Sequence, residues 1–381
     1  MDINIGILLS ESGSYGAVGR AMSAGAQLAV DEVNNGGDGN LRIQTVPIDP
    51  RGSLQGYIDG VKHLLGELGV KHVVGCYTSS SRKEVLPYFE KYDAMLWYPS
   101  HYEGFETAEN VVYTGAAPNQ HVIPLARYLL DYNRRRGWFV GSNYIWAWEN
   151  NRILREAINQ AHGEVVGERY FPVGDTDLNY VVDQIIADRP DFVFTTLIGS
   201  SLFAFIKLLR SASEAAGIDQ KTAFPVCSCS LSEAELPFLE DAADGHISSS
   251  VYFSSLNSPA NNCFASAWNA RFQEESRASA DAEATYLAVH LLAQAVQRAG
   301  TDGFAEVREA VQDARFKAPQ GEVTIDRDNL HCWMRPRIGR SRTDGAFDVV
   351  YESPFPIRPD PYLTWTAEYG EDRSVGLRLV K

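Results

Sequence analysis

The 381-residue chain lacks the signatures of several large protein classes. It has no apolar run of about 18 residues, so no transmembrane helix is expected. It also has no Gly-rich phosphate loop, HExxH zinc motif, GxSxG nucleophile elbow or GxGxxG dinucleotide fingerprint. The eight histidines are scattered without metal-ligand spacing. These absences predict a protein that uses no metal, no cofactor and no catalytic residues.

Positive charge and cysteine are also scarce. Lys and Arg total 34 against 49 Asp and Glu, which gives a net charge of −15. Nucleic acids and anionic membranes attract proteins through positive patches, so we expect no direct contact with nucleic acid and no membrane insertion. The five cysteines are irregularly spaced, and Met1 leads into an apolar strand without a basic segment. We therefore expect a cytoplasmic protein, with a periplasmic one whose signal peptide was removed as the alternative.

What the chain does have is a regular alternation of strand-like and helix-like segments. Apolar strands such as Ile3–Leu9 and His72–Val74 alternate with amphipathic helical patterns, and the series restarts after Pro118. Such a series predicts parallel sheets, so we expect an α/β fold of two doubly wound lobes with a hinged cleft. The predicted first lobe comprises residues 1–118 and about 253–330, and the second comprises 119–252 and about 331–381.

A glycine, a cluster of hydroxyl groups and a helix start follow one strand, at Gly75–Lys83. Free N–H groups at a helix start and nearby Ser or Thr side chains can form a polar ligand site, although Ser80 or Ser81 could also be only a helix cap. The next strand ends in a second polar and aromatic segment, Leu96–Gly104. Because the carboxyl ends of parallel strands share one sheet edge, the two segments together predict a pocket there.

A third aromatic segment, Asn143–Trp146, follows a strand of the second lobe and would face this pocket across the cleft. Tyrosine and tryptophan fill space around a small neutral polar solute and offer OH and NH groups to its edges. An amino-acid ligand would also need a carboxylate for its ammonium group, and Glu103 and Glu149 are the nearest candidates. The predicted ligand-binding residues are Tyr77, Ser79, Tyr98, Ser100, Tyr102, Tyr144 and Trp146.

Cys76 raises an enzymatic alternative. A cysteine near a lysine and a glutamate can hydrolyse amides, and Lys83 and Glu84 lie close to Cys76 in the sequence. Buried cysteines at strand ends are usually inert, however, and nothing around Cys76 resembles an amidase. We therefore expect no enzymatic activity.

Several long segments resemble the amide- and urea-binding branch of the type I periplasmic-binding-protein family. They are GCYTSSSRKEVLPYFEKYD, LWYPSHYEGFE, VVYTGAAPNQ, KAPQGEVTIDRDN and PIRPDPY. The resemblance covers nearly the whole chain and implies that family's fold. By their place in the matching motifs, the residues implied to hold the ligand are Tyr77, Ser79, Tyr98, Ser100 and Tyr144. This branch includes a sensor of small amides. The Ser100-His101 pair and the segment Asn143–Trp148 depart from the sequence pattern of that sensor, which leaves the preferred ligand open.

The resemblance implies two alternative functions. One is a sensor of small amides that negatively regulates an amidase operon, in which lobe closure releases a bound RNA-binding antiterminator. The other is the substrate-binding component of a urea or short-chain amide ABC transporter, whose closed form the membrane permease recognises. Gly75-Cys76-Tyr77 and the N-terminus favour the sensor, which implies a homo-oligomer, whereas the KAPQGEVTID segment is closer to the urea binders.

Overall fold

The computed structural model describes residues 1–36, 41–272 and 277–364. The first lobe is built on a five-stranded sheet in which every strand pair is parallel. Its strands are β1 (Asp2–Leu8), β2 (Arg42–Ile48), β3 (His72–Gly75), β4 (Met95–Tyr98) and β5 (Val111–Tyr113). Their order across the sheet is β2-β1-β3-β4-β5, so the order of the strands reverses at β1. The carboxyl ends of β3 and β4 are neighbours.

The second lobe is built on a seven-stranded sheet, and a small three-stranded sheet precedes its last two strands. In chain order these strands are β6 (Arg136–Ser142), β7 (Glu164–Phe171), β8 (Phe192–Thr196), β9 (Val226–Ser228), β10 (Ile247–Ser250), β11 (Arg315–Ala318), β12 (Gly321–Ile325), β13 (Cys332–Trp333), β14 (Arg337–Ser341) and β15 (Phe347–Glu352). Strands β11-β12-β13 form the small sheet, and the large one has the order β15-β14-β10-β9-β8-β6-β7.

One edge of the second sheet is antiparallel. Strand β14 is antiparallel to both β10 and β15. The tight turn around Gly345, which has a φ of +76°, joins β14 to β15 directly. A parallel pair would need a crossover of a dozen or more residues, which this short connection cannot provide.

Helices pack on the sheets. They are α1 (Gly16–Gly36), α2 (Leu54–Val61), α3 (Ser79–Lys91), α4 (Val122–Asp131), α5 (Ile145–Gln160), α6 (Asn179–Asp188), α7 (Ser200–Ala215), α8 (Gln220–Ala223), α9 (Pro259–Phe272), α10 (Ala280–Ala299) and α11 (Phe304–Val311). A π-helical segment, Lys62–Glu67, extends α2. None of the helices described is long and apolar enough to cross a membrane.

The chain crosses between the lobes more than once. After β10 it returns to the first lobe, where the largely buried α10 packs along α1 and contacts β3 and β4. One apolar core extends from the first sheet through α10 and α4 into the second sheet, so the two lobes share packed side chains where the chain crosses between them. The predicted α/β fold with two doubly wound lobes is confirmed. The predicted lobe boundaries stay a prediction, and residues 365–381 of the predicted second lobe lie outside the described part.

Candidate functional site

A cavity of about 190 Å³, the cleft cavity, lies between the two lobes. The first lobe contributes the segments that follow β3 and β4, and the second lobe contributes those that follow β6 and β8. The lining residues are Tyr77, Ser79, Ser100, His101, Tyr144, Trp146 and Ile198. Five of the seven predicted residues therefore lie together, and their role in binding stays a prediction.

Three helices begin at this cavity. Helix α3 begins at Ser79, α5 begins at Ile145 and α7 begins at Ser200. The cap of α3 is Thr78, whose hydroxyl accepts a hydrogen bond from the Ser81 N–H at 3.2 Å, so the reading of Ser80 or Ser81 as the cap is wrong. Helix N-termini carry partial positive charge and unpaired N–H groups. The cavity is thus suited to an electron-rich oxygen of a ligand.

Trp146 supplies a further donor. Its side chain is 3% exposed, and its indole Nε1 has no hydrogen-bond partner in the described part of the chain. The ring of His101 meets the indole edge-on, with 5.3 Å between ring centres. A buried N–H without a partner costs about 1–3 kcal/mol, and an acceptor atom of a ligand in the cavity would remove that cost.

Ser79 is oriented by an acidic neighbour. Its Oγ donates a short hydrogen bond to the Oε2 atom of Glu103, which is buried. Glu103 also pairs with the guanidinium of Arg82 at 3.4 Å. Glu149, the other carboxylate considered for an ammonium group, pairs instead with Arg152 at 2.9 Å. Neither carboxylate lines the cleft cavity.

Arg82 is the centre of a buried charge network beside the site. Its side chain is fully buried, its Nε donates to Glu106 at 2.7 Å, and its guanidinium lies 4.6 and 4.8 Å from the ring centres of Tyr98 and Tyr102. Lys83 also reaches Glu106, at 2.7 Å. Burial opposes ionisation of Glu106, but Arg82 and Lys83 outweigh it and lower the pKa of that carboxyl to about 2.

The structure does not bring Tyr98 and Tyr102 to the cavity. The Tyr98 hydroxyl donates to the backbone oxygen of Tyr77 at 2.9 Å. The Tyr102 hydroxyl lies 2.6 Å from His331 Nε2, and its ring stacks on Tyr113. Both hydroxyls are thus engaged within the protein, and both tyrosines are wholly buried in the packing that supports the strand ends.

Cys76 is not placed for catalysis. It is wholly buried, and burial raises the pKa of its thiol to about 12. The attacking form of a cysteine is the thiolate, which is scarcely populated at neutral pH with such a pKa. The geometry therefore gives no support to the enzymatic alternative.

The sequence interpretation missed several residues around the cleft. Ile198 follows β8 and lines the cleft cavity, and the rule that led to the other strand ends would have found it. A second space, the hinge cavity, has a volume of about 470 Å³ and is lined by the segment after β9, the crossing after β10 and the start of α10. His101 lines both cavities. Asp281 lies at the start of α10 and lines the hinge cavity. The sequence around it does not predict this position, because only the return of the chain to the first lobe brings α10 there.

Comparison with known proteins identifies the family. The sequence profile described as "Periplasmic binding protein domain" matches residues 3–368. The chain belongs to the periplasmic binding protein family. This periplasmic binding protein is 24% identical over 342 residues to the Leu/Ile/Val-binding protein homolog 6 of Brucella abortus (strain 2308), covering 86% of the chain and 85% of that protein.

Solved structures show the same fold for this periplasmic binding protein. An ABC transporter solute-binding protein from R. palustris in complex with benzoate has a TM-score of 0.84 at 20% identity, with 94% of this chain and 98% of that chain covered. The branched-chain amino acid transporter protein LivJ of Streptococcus pneumoniae, in complex with isoleucine, has a TM-score of 0.80 at 22% identity, with 92% and 99% covered. The expected type I periplasmic-binding-protein fold is confirmed.

One similarity to an enzyme is local. Limonene hydroxylase of Geobacillus stearothermophilus is 31% identical over 124 residues, which is 32% of this chain and 23% of the enzyme. This periplasmic binding protein therefore spans under a quarter of that relative. The similarities that cover most of the chain are to binding proteins.

The cytoplasmic location expected from the sequence is wrong, because the matching family is that of periplasmic binding proteins and the two solved structures named above are transporter components. The argument from cysteines fails for a physical reason. Cys76, Cys227, Cys229 and Cys332 are buried, and only Cys263 is exposed. All five are free thiols, so their number alone does not report the redox state of a compartment.

Proposed function

We propose that the protein is the substrate-binding component of an ABC transporter and that its ligand is a small amide or urea. The two solved structures reported above are transporter components, which favours a membrane permease over an RNA-binding antiterminator as the partner. The observation that carries the ligand class is the donor and acceptor pattern of the residues that line the cleft cavity, including the unpartnered indole N–H of Trp146.

The hydroxyl groups of the cavity complement this donor. The proton of Ser79 Oγ is directed to Glu103, and that of Ser100 Oγ to the backbone oxygen of His101 at 3.3 Å. Both oxygens can therefore accept hydrogen bonds from a ligand. A primary amide or urea has one carbonyl oxygen to accept from Trp146 and N–H groups to donate to the two serines. A carboxylate offers acceptors only, so it would leave the two serine oxygens without donors.

A ligand screen by calorimetry and thermal denaturation tests this assignment. Acetamide, propionamide and urea are compared with benzoate and isoleucine, the ligands of the related structures. A ligand that binds only the folded state raises the unfolding midpoint by an amount set by RT ln(1 + [L]/Kd). We expect shifts with the amides or urea and none with the two carboxylates. A shift with benzoate or isoleucine alone would refute the proposed ligand class.

Replacing Ser79 with alanine is expected to weaken amide binding by about 10- to 100-fold. The variant removes the acceptor for an amide N–H, and a buried polar group left unpaired costs about 1–3 kcal/mol. Ser80→Ala is the matched control, because Ser80 lies on the same helical turn and does not line the cleft cavity. Calorimetry measures both affinities. Equal affinities of the two variants would show that the ligand does not contact the Ser79 side chain.

Replacing Trp146 with phenylalanine is expected to lower affinity much more than stability. The variant keeps an aromatic ring but removes the indole N–H that lacks a partner. Amide affinity should fall by about tenfold or more, whereas the unliganded protein should lose little stability, because removal of the unpaired N–H offsets part of the packing lost with the smaller ring. Chemical denaturation without ligand and titration with acetamide measure the two effects. A parallel loss of both would mean that Trp146 acts through packing alone.

A further inference from the structure

The hinge cavity takes no part in the proposed amide site, although its walls are polar and buried. It lies where the chain crosses between the lobes, and its volume is about 470 Å³. Its lining includes His101, His121, Ser232, Glu233 and Asp281. No lysine or arginine is among the lining residues in the described ranges. The cavity is therefore acidic, and the donors that its walls offer come from hydroxyl groups and histidines.

His121 presents a bare acceptor in this cavity. Its side chain is 1% exposed, and its Nε2 lies 3.0 Å from the backbone oxygen of Tyr102. A carbonyl oxygen accepts only, so Nε2 carries the proton and Nδ1 has a free lone pair. Nδ1 has no hydrogen-bond partner within the described residues. A donor is needed to satisfy it.

Two neighbouring side chains repeat this pattern. Glu233 is 1% exposed; its Oε1 accepts from the Ser254 N–H at 2.7 Å, while its Oε2 has no partner among the residues described. The Oγ of Ser232, which is 4% exposed, is equally unpartnered. Asp281 adds a second carboxylate, with Oδ1 at 3.7 Å from His101 Nδ1. Unpaired buried polar atoms are costly, and two of these three, His121 Nδ1 and Glu233 Oε2, are acceptors that need a donor.

We infer that the hinge cavity is a second subsite, which receives the protonated amino group of the same ligand whose carbonyl oxygen lies in the cleft cavity. An ammonium group has three donors and no acceptor, and it matches Glu233, Ser232 and His121 in number and in charge. His101 lines both cavities, so a single short aliphatic chain passing its ring would join the two groups. This inference rests on the proposed function, because it places the amide end of the ligand in the cleft cavity.

Matched pairs of ligands test the inference on the wild-type protein. They are β-alaninamide with butanamide, 4-aminobutanamide with pentanamide, and 5-aminopentanamide with hexanamide; within each pair the number of non-hydrogen atoms is the same. We expect at least one amino amide to bind about tenfold or more tightly than its neutral partner, measured by calorimetry at neutral pH. Glu233→Gln should bring that ratio close to one, and Ser232→Ala should reduce it, which keeps the test open if one variant does not fold.

The outcomes separate this inference from the proposed function. Neutral amides that bind as tightly as their amino partners throughout the series would overturn the second subsite and leave the amide site standing; the hinge cavity would then hold water only. An amino amide preference that survives Glu233→Gln and Ser232→Ala would also overturn it. Failure of every amide to bind would remove the proposed function, and the inference with it.

Discussion

Replacing Gly199 with alanine is expected to weaken ligand binding by more than about a hundredfold, because the added methyl group would collide with the opposite lobe. Gly199 precedes α7 in the second lobe, and a Cβ atom there would lie 1.9 Å from the backbone oxygen of Ser14 in the first lobe. The next residue, Ser200, donates its N–H to that same oxygen at 3.2 Å. The variant would therefore fold but resist closure, and a hundredfold loss corresponds to about 2.7 kcal/mol.

Gly217→Ala is the control for placing an alanine at a positive φ. Gly199 has a φ of +59° and Gly217 has a φ of +68°, but a Cβ at Gly217 would meet no atom within 4 Å. Both variants pay for a positive φ, whereas only Gly199→Ala meets the other lobe. Calorimetry gives the affinities, and small-angle scattering with ligand present should show the Gly199 variant more extended. Wild-type affinity in that variant would exclude this contact from the bound state.

Replacing Arg82 with methionine is expected to destabilise the protein by about 3–5 kcal/mol. The substitution keeps much of the side-chain volume but leaves Glu103 and part of Glu106 buried without their main counter-charge. Lys207→Met is the matched control, since the Lys207–Glu240 pair is largely exposed and worth at most about 1 kcal/mol. Urea denaturation measures both. A loss near that of the control would show that Lys83 alone neutralises the two carboxylates.

The same network predicts how stability depends on pH. The pKa of Glu106 falls from its ordinary value of 4.5 to about 2 in the folded protein. The unfolded chain therefore takes up the proton first as the pH falls, and the stabilisation present above pH 4.5 is lost progressively down to about 2. Arg82→Met should flatten this part of the stability curve. An equally steep acid loss in the variant would assign the effect to other carboxylates.

The alternation of strands and helices was sufficient to predict the two-lobed fold, and the positions where parallel strands end were sufficient to predict most of the cleft cavity. The direction of a side chain at such a position was not predictable. Tyr77 and Tyr98 both end strands or follow them directly, yet only Tyr77 lines the cavity, because Tyr98 packs on Arg82. The sequence near a tyrosine does not determine whether its ring faces the cavity or packs on a buried cation, because the cation comes from another part of the chain.

The hinge cavity lay beyond sequence interpretation for a different reason. Ser232 and Glu233 follow β9 and could have been reached by the strand-end rule. His121 and Asp281 could not, because they belong to the crossing segment before α4 and to the start of α10, which are far apart in the chain. Only the three-dimensional return of α10 to the first lobe places them around one space. The ligand class implied by the resemblance also remained a proposal, since relatives with the same fold hold benzoate and isoleucine.

The contact between Ser14 and the Gly199–Ser200 turn has a kinetic consequence. A solute enclosed beneath that contact cannot escape until the hydrogen bond across it breaks, so the opening rate sets an upper limit on dissociation. Solutes of different affinity would then differ less in residence time than in equilibrium occupancy whenever opening is the slow step. Any partner that pulls the two lobes apart would accelerate unloading without touching the solute itself.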